Sequence, residues 1–132
     1  MGQAYRVLVI DDDLEVTGVT RDVLEDEGFS VEIVHDLNRA HIDEVLGRFA
    51  PHVILLDSAG AFDYGDSWGL AARLRDAPHP PAVVMFTAHA SAVREAEQRT
   101  TTRSRRAGFT AIVRKPFAVQ ELVEAVRTAA QG

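Results

Sequence analysis

The sequence predicts an α/β fold in which a doubly wound parallel sheet of five strands is covered by helices on both faces. Two observations support this prediction. Apolar runs alternate along the chain with segments of helical periodicity, and three of the five runs are continuously apolar. A strand without polar alternation is typical of a sheet that is buried on both faces. The length of 132 residues fits one domain, and we expect a single domain over residues 1–132.

The five predicted strands share short length and apolar character, and turn or helix signals separate them. The second strand alternates apolar and polar residues, as a half-buried strand does. The predicted strands are Tyr5–Ile10, Phe29–Val34, Val53–Leu56, Ala82–Phe86 and Thr110–Val113.

Five predicted helices follow the strands in turn. Val16, Val19, Val23 and Leu24 share one face of the first helix, which ends before Gly28. The second helix carries Ile42, Val45, Leu46 and Phe49 and is broken by Pro51, and a short third helix covers Ser67 to Asp76. The fourth, a polar helix from Ser91 to Arg103, has only Ala90, Val93 and Ala96 as an apolar stripe. Pro116 opens the last helix, which carries Val119, Leu122, Val123 and Val126 on one side.

Composition excludes several classes of protein. No apolar run approaches the roughly 20 residues that a membrane helix requires, so we expect no membrane association. Cysteine is absent, which excludes disulfides and thiolate metal sites and is consistent with the cytoplasm. The net charge of −6 argues against non-specific nucleic-acid binding by the whole surface.

Arginine is concentrated in one segment, from Arg94 to Arg114. Such a segment is either a patch for an acidic partner or nucleic acid, or the solvated end of a helix, where arginine is favourable anyway. From the sequence alone we favour the solvated helix end.

Polar residues collect where the predicted strands end. Asp11 and Asp12 follow the first strand, Asp57 ends the third, Thr87 ends the fourth and Lys115 follows the fifth. The carboxyl ends of parallel strands meet at one edge of a sheet, where ligand crevices lie. If the first and third strands are neighbours, three carboxylates converge there and either resist ionisation or hold a cation. Oxygen ligands in a partly solvated pocket suit Mg²⁺.

These motifs resemble those of the receiver domain of two-component response regulators, the CheY-like receiver family. The resemblance covers essentially the whole chain and rests on VLVIDDD (7–13), VILLD (53–57), FTA (86–88) and RKPF (114–117), in the family's order and close to its spacings. It implies a flavodoxin-like (βα)5 fold with strand order 2-1-3-4-5. It also implies a cytoplasmic signalling module that undergoes self-catalysed phosphorylation and dephosphorylation rather than acting as a turnover enzyme.

The resemblance implies that Asp57 is the phosphoacceptor. It would attack the phosphorus of a phosphohistidine on a sensor histidine kinase or phosphotransfer protein, or of a small phosphodonor. Asp11, Asp12, Asp57 and the backbone carbonyl of Ala59 would bind Mg²⁺. Lys115 would pair with the phosphoryl group.

The family's switch positions fall on Thr87 and Ile112. Thr87 would hydrogen-bond a phosphoryl oxygen and move toward it, changing the surface formed by the fourth and fifth predicted helices. Ala59 and His89 occupy positions that border the path of the hydrolytic water, so we expect them to tune the lifetime of the phosphorylated state. An unidentified effector would read that surface, without direct DNA binding by this domain, and a homodimer through the last helices is left open.

The chain departs from the family pattern in three places. Ile112 stands where the family usually carries an aromatic residue, and an isoleucine has no ring to swing inward. The loop SAGAFDYGDSWG after Asp57 is longer than usual and is predicted to hold Phe62, Tyr64 or Trp68 over the site as a lid or partner surface. The segment between Thr87 and Lys115 is also longer than usual, which predicts an atypical output surface.

Three further acidic residues near the site have structural interpretations. Asp13 is predicted to start a helix, and Asp63 and Asp66 are expected to serve in a loop or as an N-cap.

Two other functions stay open. The chain is alternatively a receiver-like interaction module that is not phosphorylated, an interpretation that Ile112 and the altered loops favour. It is alternatively a Mg²⁺-dependent phosphatase with an aspartyl nucleophile, but Glu15 stands where the haloacid-dehalogenase-like pattern needs threonine or valine.

Overall fold

Five parallel strands form one sheet in the order 2-1-3-4-5, which confirms the predicted topology. The computed structural model describes residues 4–58 and 64–132, with side chains described outside 59–66. The strands are β1 (Arg6–Ile10), β2 (Ser30–Val34), β3 (Val53–Asp57), β4 (Ala82–Thr87) and β5 (Ala111–Arg114). The helices of the described ranges are α1 (Leu14–Asp26), α2 (Arg39–Phe49), α3 (Tyr64–Arg75), α4 (Ala90–Gln98), α5 (Thr102–Ala107) and α6 (Val119–Gln131).

The core consists of two apolar clusters, one on each face of the sheet. Within β3, Ile54 and Leu56 belong to the cluster that includes residues of α2 and α3. Val53 and Leu55 belong to the other cluster, which includes residues of α1 and α6. All five residues of β3 are therefore buried, which explains why its sequence lacks polar alternation.

The strand register brings the polar strand ends together. Ile10 of β1 lies opposite Leu56 of β3, and Asp57 lies opposite Phe86 of β4. Thr87 in turn lies opposite Arg114 of β5. The residues that follow these positions therefore meet at one edge of the sheet.

The predicted fourth helix, from Ser91 to Arg103, is wrong, because the structure has two helices there. α4 ends at Gln98, and the next residue, Arg99, has a left-handed backbone with φ +52°. Thr101 then starts α5 with a capping box, in which its hydroxyl accepts from Ser104 N and the Ser104 hydroxyl accepts from Thr101 N. No apolar residue stands between Ala96 and Ala107, so the apolar pattern gives no sign of this break.

Three smaller predictions about helices also need correction. Val19 is 55 % exposed, whereas Thr17 and Thr20 are buried in α1 and donate to backbone carbonyls of the same helix. In α4, Ala90 is exposed, and Ala92 is buried in its place. The last helix begins at Val119 with Ala118 as its N-cap, rather than at Pro116. Among the described residues, no helix combines the length and the apolar character needed to cross a membrane.

Candidate functional site

The site begins with three carboxylates at the carboxyl ends of β1 and β3. Asp11 and Asp12 follow β1 directly, and Asp57 is the last residue of β3. Each side chain offers one oxygen that lies within 4.8 Å of the other two. Asp11 and Asp57 are 0 % and 3 % exposed, and Asp12 is the more exposed member of the three. Adjacent strands place these groups together, as the sequence predicts.

Lys115 supplies the positive charge of the site. Its Nζ donates to Asp11 Oδ2 at 2.6 Å and lies 3.5 Å from Asp57 Oδ1. The ammonium also lies 4.9 Å from the centroid of the Phe86 ring, a contact that favours a cation. One ammonium facing three carboxylates leaves a cluster that is negative when its acidic groups are ionised. Such a cluster attracts a further cation.

Asp11 is held at several points besides its contact with Lys115. Its Oδ1 accepts from the Asp13 backbone N–H at 3.0 Å, and its own N–H donates to Val34 O at 3.0 Å. His35, directly after β2, has its Nδ1 3.1 Å from the Asp11 carbonyl oxygen. His35 was not among the predicted site residues. It nevertheless follows directly after β2, in the same way as the predicted polar residues stand at the ends of their own strands.

Thr87 closes the site on the β4 side. It is fully buried, its Oγ1 accepts from the His89 backbone N–H at 3.0 Å, and its carbonyl accepts from the Lys115 N–H at 2.8 Å. The backbone of Lys115 is therefore fixed to the residue that begins the β4–α4 connection. The structure thus brings Asp11, Asp12, Asp57, Thr87 and Lys115 to one edge of the sheet.

Other predicted residues lie outside this group. Ile112 pairs with Met85 in the sheet and packs, partly buried, against the core, while His89 is an exposed N-cap of α4. Asp13 is the N-cap of α1, as predicted, and its carboxylate accepts from Glu15 N and Val16 N.

One prediction about the loop after Asp57 is wrong. Trp68 is not a lid over the site, because it is 1 % exposed in α3 and packs edge-on against Phe109 at 5.4 Å. It belongs to the core cluster together with Leu70, Ala71 and Leu74 of the same helix. The remaining predictions for this segment lie outside the described residues or side chains: Ala59, Phe62, Asp63, Tyr64 and Asp66.

The donor set fits a hard divalent cation. All three clustered side chains offer carboxylate oxygens, which suit Mg²⁺, and the sequence has no cysteine to supply a thiolate ligand. Asp11, Asp12 and Asp57 would hold the ion, and the Lys115 ammonium would neutralise part of the remaining negative charge.

Comparison with known proteins agrees with this geometry. The sequence model of the family described as response regulator receiver domain matches residues 7–127. A response regulator from Thermotoga maritima is similar in structure, with a TM-score of 0.79 at 22% identity over 98% of this chain and 99% of that one. A CheY-like receiver domain protein from Methanospirillum hungatei has a TM-score of 0.77 at 22% identity, covering 98% and 95% of the two chains. The receiver domain of NtrX from Brucella abortus has a TM-score of 0.76 at 22% identity, covering 95% and 98%.

Proposed function

Because this chain belongs to the response regulator receiver domain family, we propose that it is a signalling domain switched by phosphorylation of Asp57. The observation that carries the proposal is the contact of one ammonium, Lys115 Nζ, with both Asp11 and Asp57 inside a three-carboxylate cluster. A structural ion pair needs only one acid, whereas phosphoryl transfer needs a nucleophile, a charge-neutralising cation and a metal site together.

In the proposed reaction, an oxygen of Asp57 attacks the phosphorus of the donor, and the bond from phosphorus to the donor nitrogen or oxygen breaks. The product is an acyl phosphate on Asp57, with the electron pair of the broken bond on the donor. A bound Mg²⁺ would neutralise charge on the phosphoryl oxygens. Asp11, Asp12 and Asp57 would hold that ion, Lys115 pairs with the incoming phosphoryl group, and buried Thr87 supplies a hydroxyl donor.

The donor is proposed to be the phosphohistidine of a sensor histidine kinase or phosphotransfer protein, or a small acyl phosphate. Phosphorylation adds about −1.5 to −2 charges at neutral pH. Thr87 would respond to that charge first. If its hydroxyl turns toward a phosphoryl oxygen, the hydrogen bond that its Oγ1 now accepts from His89 N–H changes. His89 is the N-cap of α4, so a change in this hydrogen bond shifts the start of that helix. The shift would then alter the surface of α4, α5 and α6. Couplings of this kind are typically worth about 1–3 kcal/mol.

Ile112 sets a limit on the switch. It is an aliphatic residue packed against the core, so the signal leaves through Thr87 and α4 rather than through a rotating ring. His89 and Ala59 are proposed to tune hydrolysis of the acyl phosphate. The rate of dephosphorylation of a His89→Ala variant, measured against the unaltered protein, tests the role of His89.

Incubation with acetyl phosphate and Mg²⁺, followed by mass spectrometry of the intact protein, tests the proposal. We expect a mass gain of one phosphoryl group in the unaltered protein and none in Asp57→Asn. Asp13→Asn is the matched control, since Asp13 only caps α1 and should leave the gain intact.

Two results contradict the proposal in different ways. Absence of any gain, with Mg²⁺ present and the protein folded, favours a receiver-like interaction module that is not phosphorylated, the function that Ile112 suggests. Hydrolysis of a phosphate ester that persists in Asp57→Asn favours an enzyme.

A further inference from the structure

A second charged surface lies around the junction of α4 and α5. It consists of four exposed arginines that we call the arginine cluster: Arg75, Arg99, Arg105 and Arg106. Contacts with backbone carbonyls hold the cluster together, because Arg105 Nη1 donates to Arg99 O at 3.2 Å and Arg75 Nη1 donates to Arg105 O at 2.8 Å. We propose that the arginine cluster is a docking surface for an acidic segment of a partner protein.

Within the described residues, the members of the arginine cluster have no carboxylate partner, a property that they share with Arg6, Arg21, Arg39, Arg94 and Arg114. In the part of the chain that the structure describes, ion pairs with aspartate or glutamate are made by Arg48, Arg73, Arg103 and Arg127. The four members of the arginine cluster make none there. Acidic residues outnumber basic ones in the whole chain, whose net charge is −6. The segment from Arg94 to Arg114 nevertheless holds six arginines and only two glutamates. Such a concentration of one charge attracts a partner of the opposite charge.

Helix ends account for only part of this charge. α3, α4 and α5 all end at the arginine cluster, at Arg75, Gln98 and Ala107. A helix C-terminus is equivalent to about half a negative charge, and the effect is weaker for a helix as short as α5. Three such ends offset about one and a half of the four positive charges. The solvated helix end that the sequence favours therefore does not explain the whole arginine cluster.

Two members of the arginine cluster, Arg105 and Arg106, lie on α5, which packs against the core through buried Ala107. Glu95 of α4 accepts from Arg103 Nε at 2.7 Å, from Arg103 Nη2 at 2.8 Å and from the Thr101 hydroxyl at 2.6 Å. The Arg103 guanidinium also lies 4.8 Å from the centroid of Trp68, which joins α5 to α3. A surface that is fixed before binding loses less conformational freedom when a partner docks.

A protein segment fits this surface better than a nucleic acid does. α5 has six residues, which is too short to lie along a DNA groove with several base contacts. The rest of the chain is acidic, so a long polyanion that extends beyond the arginine cluster meets repulsion within the screening length of about 8 Å. A short acidic segment contacts only the arginine cluster, and its carboxylates can each take two N–H bonds from one guanidinium.

Fluorescence anisotropy with a short labelled peptide tests the proposal on the unphosphorylated full chain, independently of the proposed phosphoryl transfer. The probe carries glutamate at every second position, and its control carries glutamine instead. We expect saturable binding of the glutamate peptide alone, weakening between about 50 and 200 mM salt. Arg99→Glu/Arg106→Glu should weaken binding by about tenfold or more. Neither of these guanidiniums donates a hydrogen bond within the described residues, so the fold should persist.

Two matched variants separate local charge from net charge. Arg21→Glu/Arg39→Glu makes the same change in net charge on exposed positions of α1 and α2, and we expect binding within about twofold of the unaltered protein. Arg99→Lys/Arg106→Lys keeps the charge and should keep most of the binding. Equal losses in the two glutamate variants, absence of saturable binding, or tighter binding of a DNA duplex than of the peptide each overturn the proposal. Thermal unfolding of every variant confirms that a loss is not a loss of fold.

Discussion

Two ion pairs of nearly equal length hold different parts of this molecule, and they differ in almost everything else. Lys115 and Asp11 lie 104 residues apart in sequence, and their side chains are 14% and 0% exposed. Arg103 and Glu95 lie eight residues apart, and their side chains are 44% and 19% exposed. The first pair exists only because the sheet places β5 and β1 at a common edge. The second is a local clip between two consecutive helices.

The distance between its charged atoms therefore does not by itself measure what an ion pair contributes to stability. A buried pair repays its desolvation only through mutual contact, so removing one partner leaves an uncompensated buried charge and costs about 3–5 kcal/mol. An exposed pair is screened and contributes about 0–1 kcal/mol. The buried pair also serves chemistry in the proposed function, because it holds a cation beside Asp57.

The largest expected effect is that of Lys115→Met. This change leaves the carboxylates of Asp11 and Asp57 buried without their ammonium, and we expect the free energy of unfolding at pH 7 to fall by about 3 kcal/mol. Mg²⁺ should restore part of the loss, since it neutralises the same carboxylates. Urea unfolding with and without Mg²⁺ measures both effects. An unchanged midpoint would mean that the carboxylates are already neutral or hydrated without Lys115.

A smaller effect is expected for Arg103→Met, which keeps most of the apolar stem of the side chain. The loss of the pair with Glu95 and of the contact with Trp68 should cost about 1 kcal/mol. Because Trp68 is the only tryptophan of the chain and is buried, its emission spectrum reports the change directly. A loss as large as that of Lys115→Met would show that the clip is not the local feature described above.

The smallest effect is a change in the pH dependence of stability through Glu95. The hydrogen bonds from Arg103 lower the pKa of Glu95 from 4.5 to about 2, against an opposing contribution from burial. The unfolded chain therefore takes up this proton first, so the stabilisation is present above pH 4.5 and is lost as the pH falls toward 2.

Unfolding of Glu95→Gln and of the unaltered protein at pH 7, 4 and 3 measures this contribution. We expect the variant to be less stable at pH 7 by under about 1 kcal/mol and the two curves to converge on acidification, since the exposed Arg103 end of the pair is screened by solvent. Parallel curves would mean that Glu95 has the same pKa in the folded and unfolded chains.

The sequence predicted that the two residues of the buried pair lie in one pocket, and it missed the exposed pair, for a physical reason. Strand order and the rule that ligands bind at the carboxyl ends of parallel strands bring Asp11 and Lys115 together before any coordinates are known. The clip depends on where a helix stops. Arg99 adopts a left-handed backbone without being glycine, so the usual C-terminal signal is missing, although Thr101 and Ser104 are spaced as a capping pair.

The predictions that were wrong for single residues also failed because local sequence does not show how a side chain packs. Trp68 was assigned to the site because it stands at the end of the long loop after Asp57, but α3 packs its indole into the core against Phe109. Thr17 and Thr20 looked polar, yet each hydroxyl donates within α1, which permits its burial. Tertiary packing decides such cases, and a single sequence does not encode it locally.

Because the buried ion pair joins residues 11 and 115, the charge cluster of the site is completed late in translation. The ribosome releases β1 and β3, with their acids, well before the strand that precedes the lysine. Until that late strand docks, a nascent chain carries the carboxylates but lacks the ammonium that neutralises them. The complete charge cluster therefore forms only after β5 has docked on the sheet.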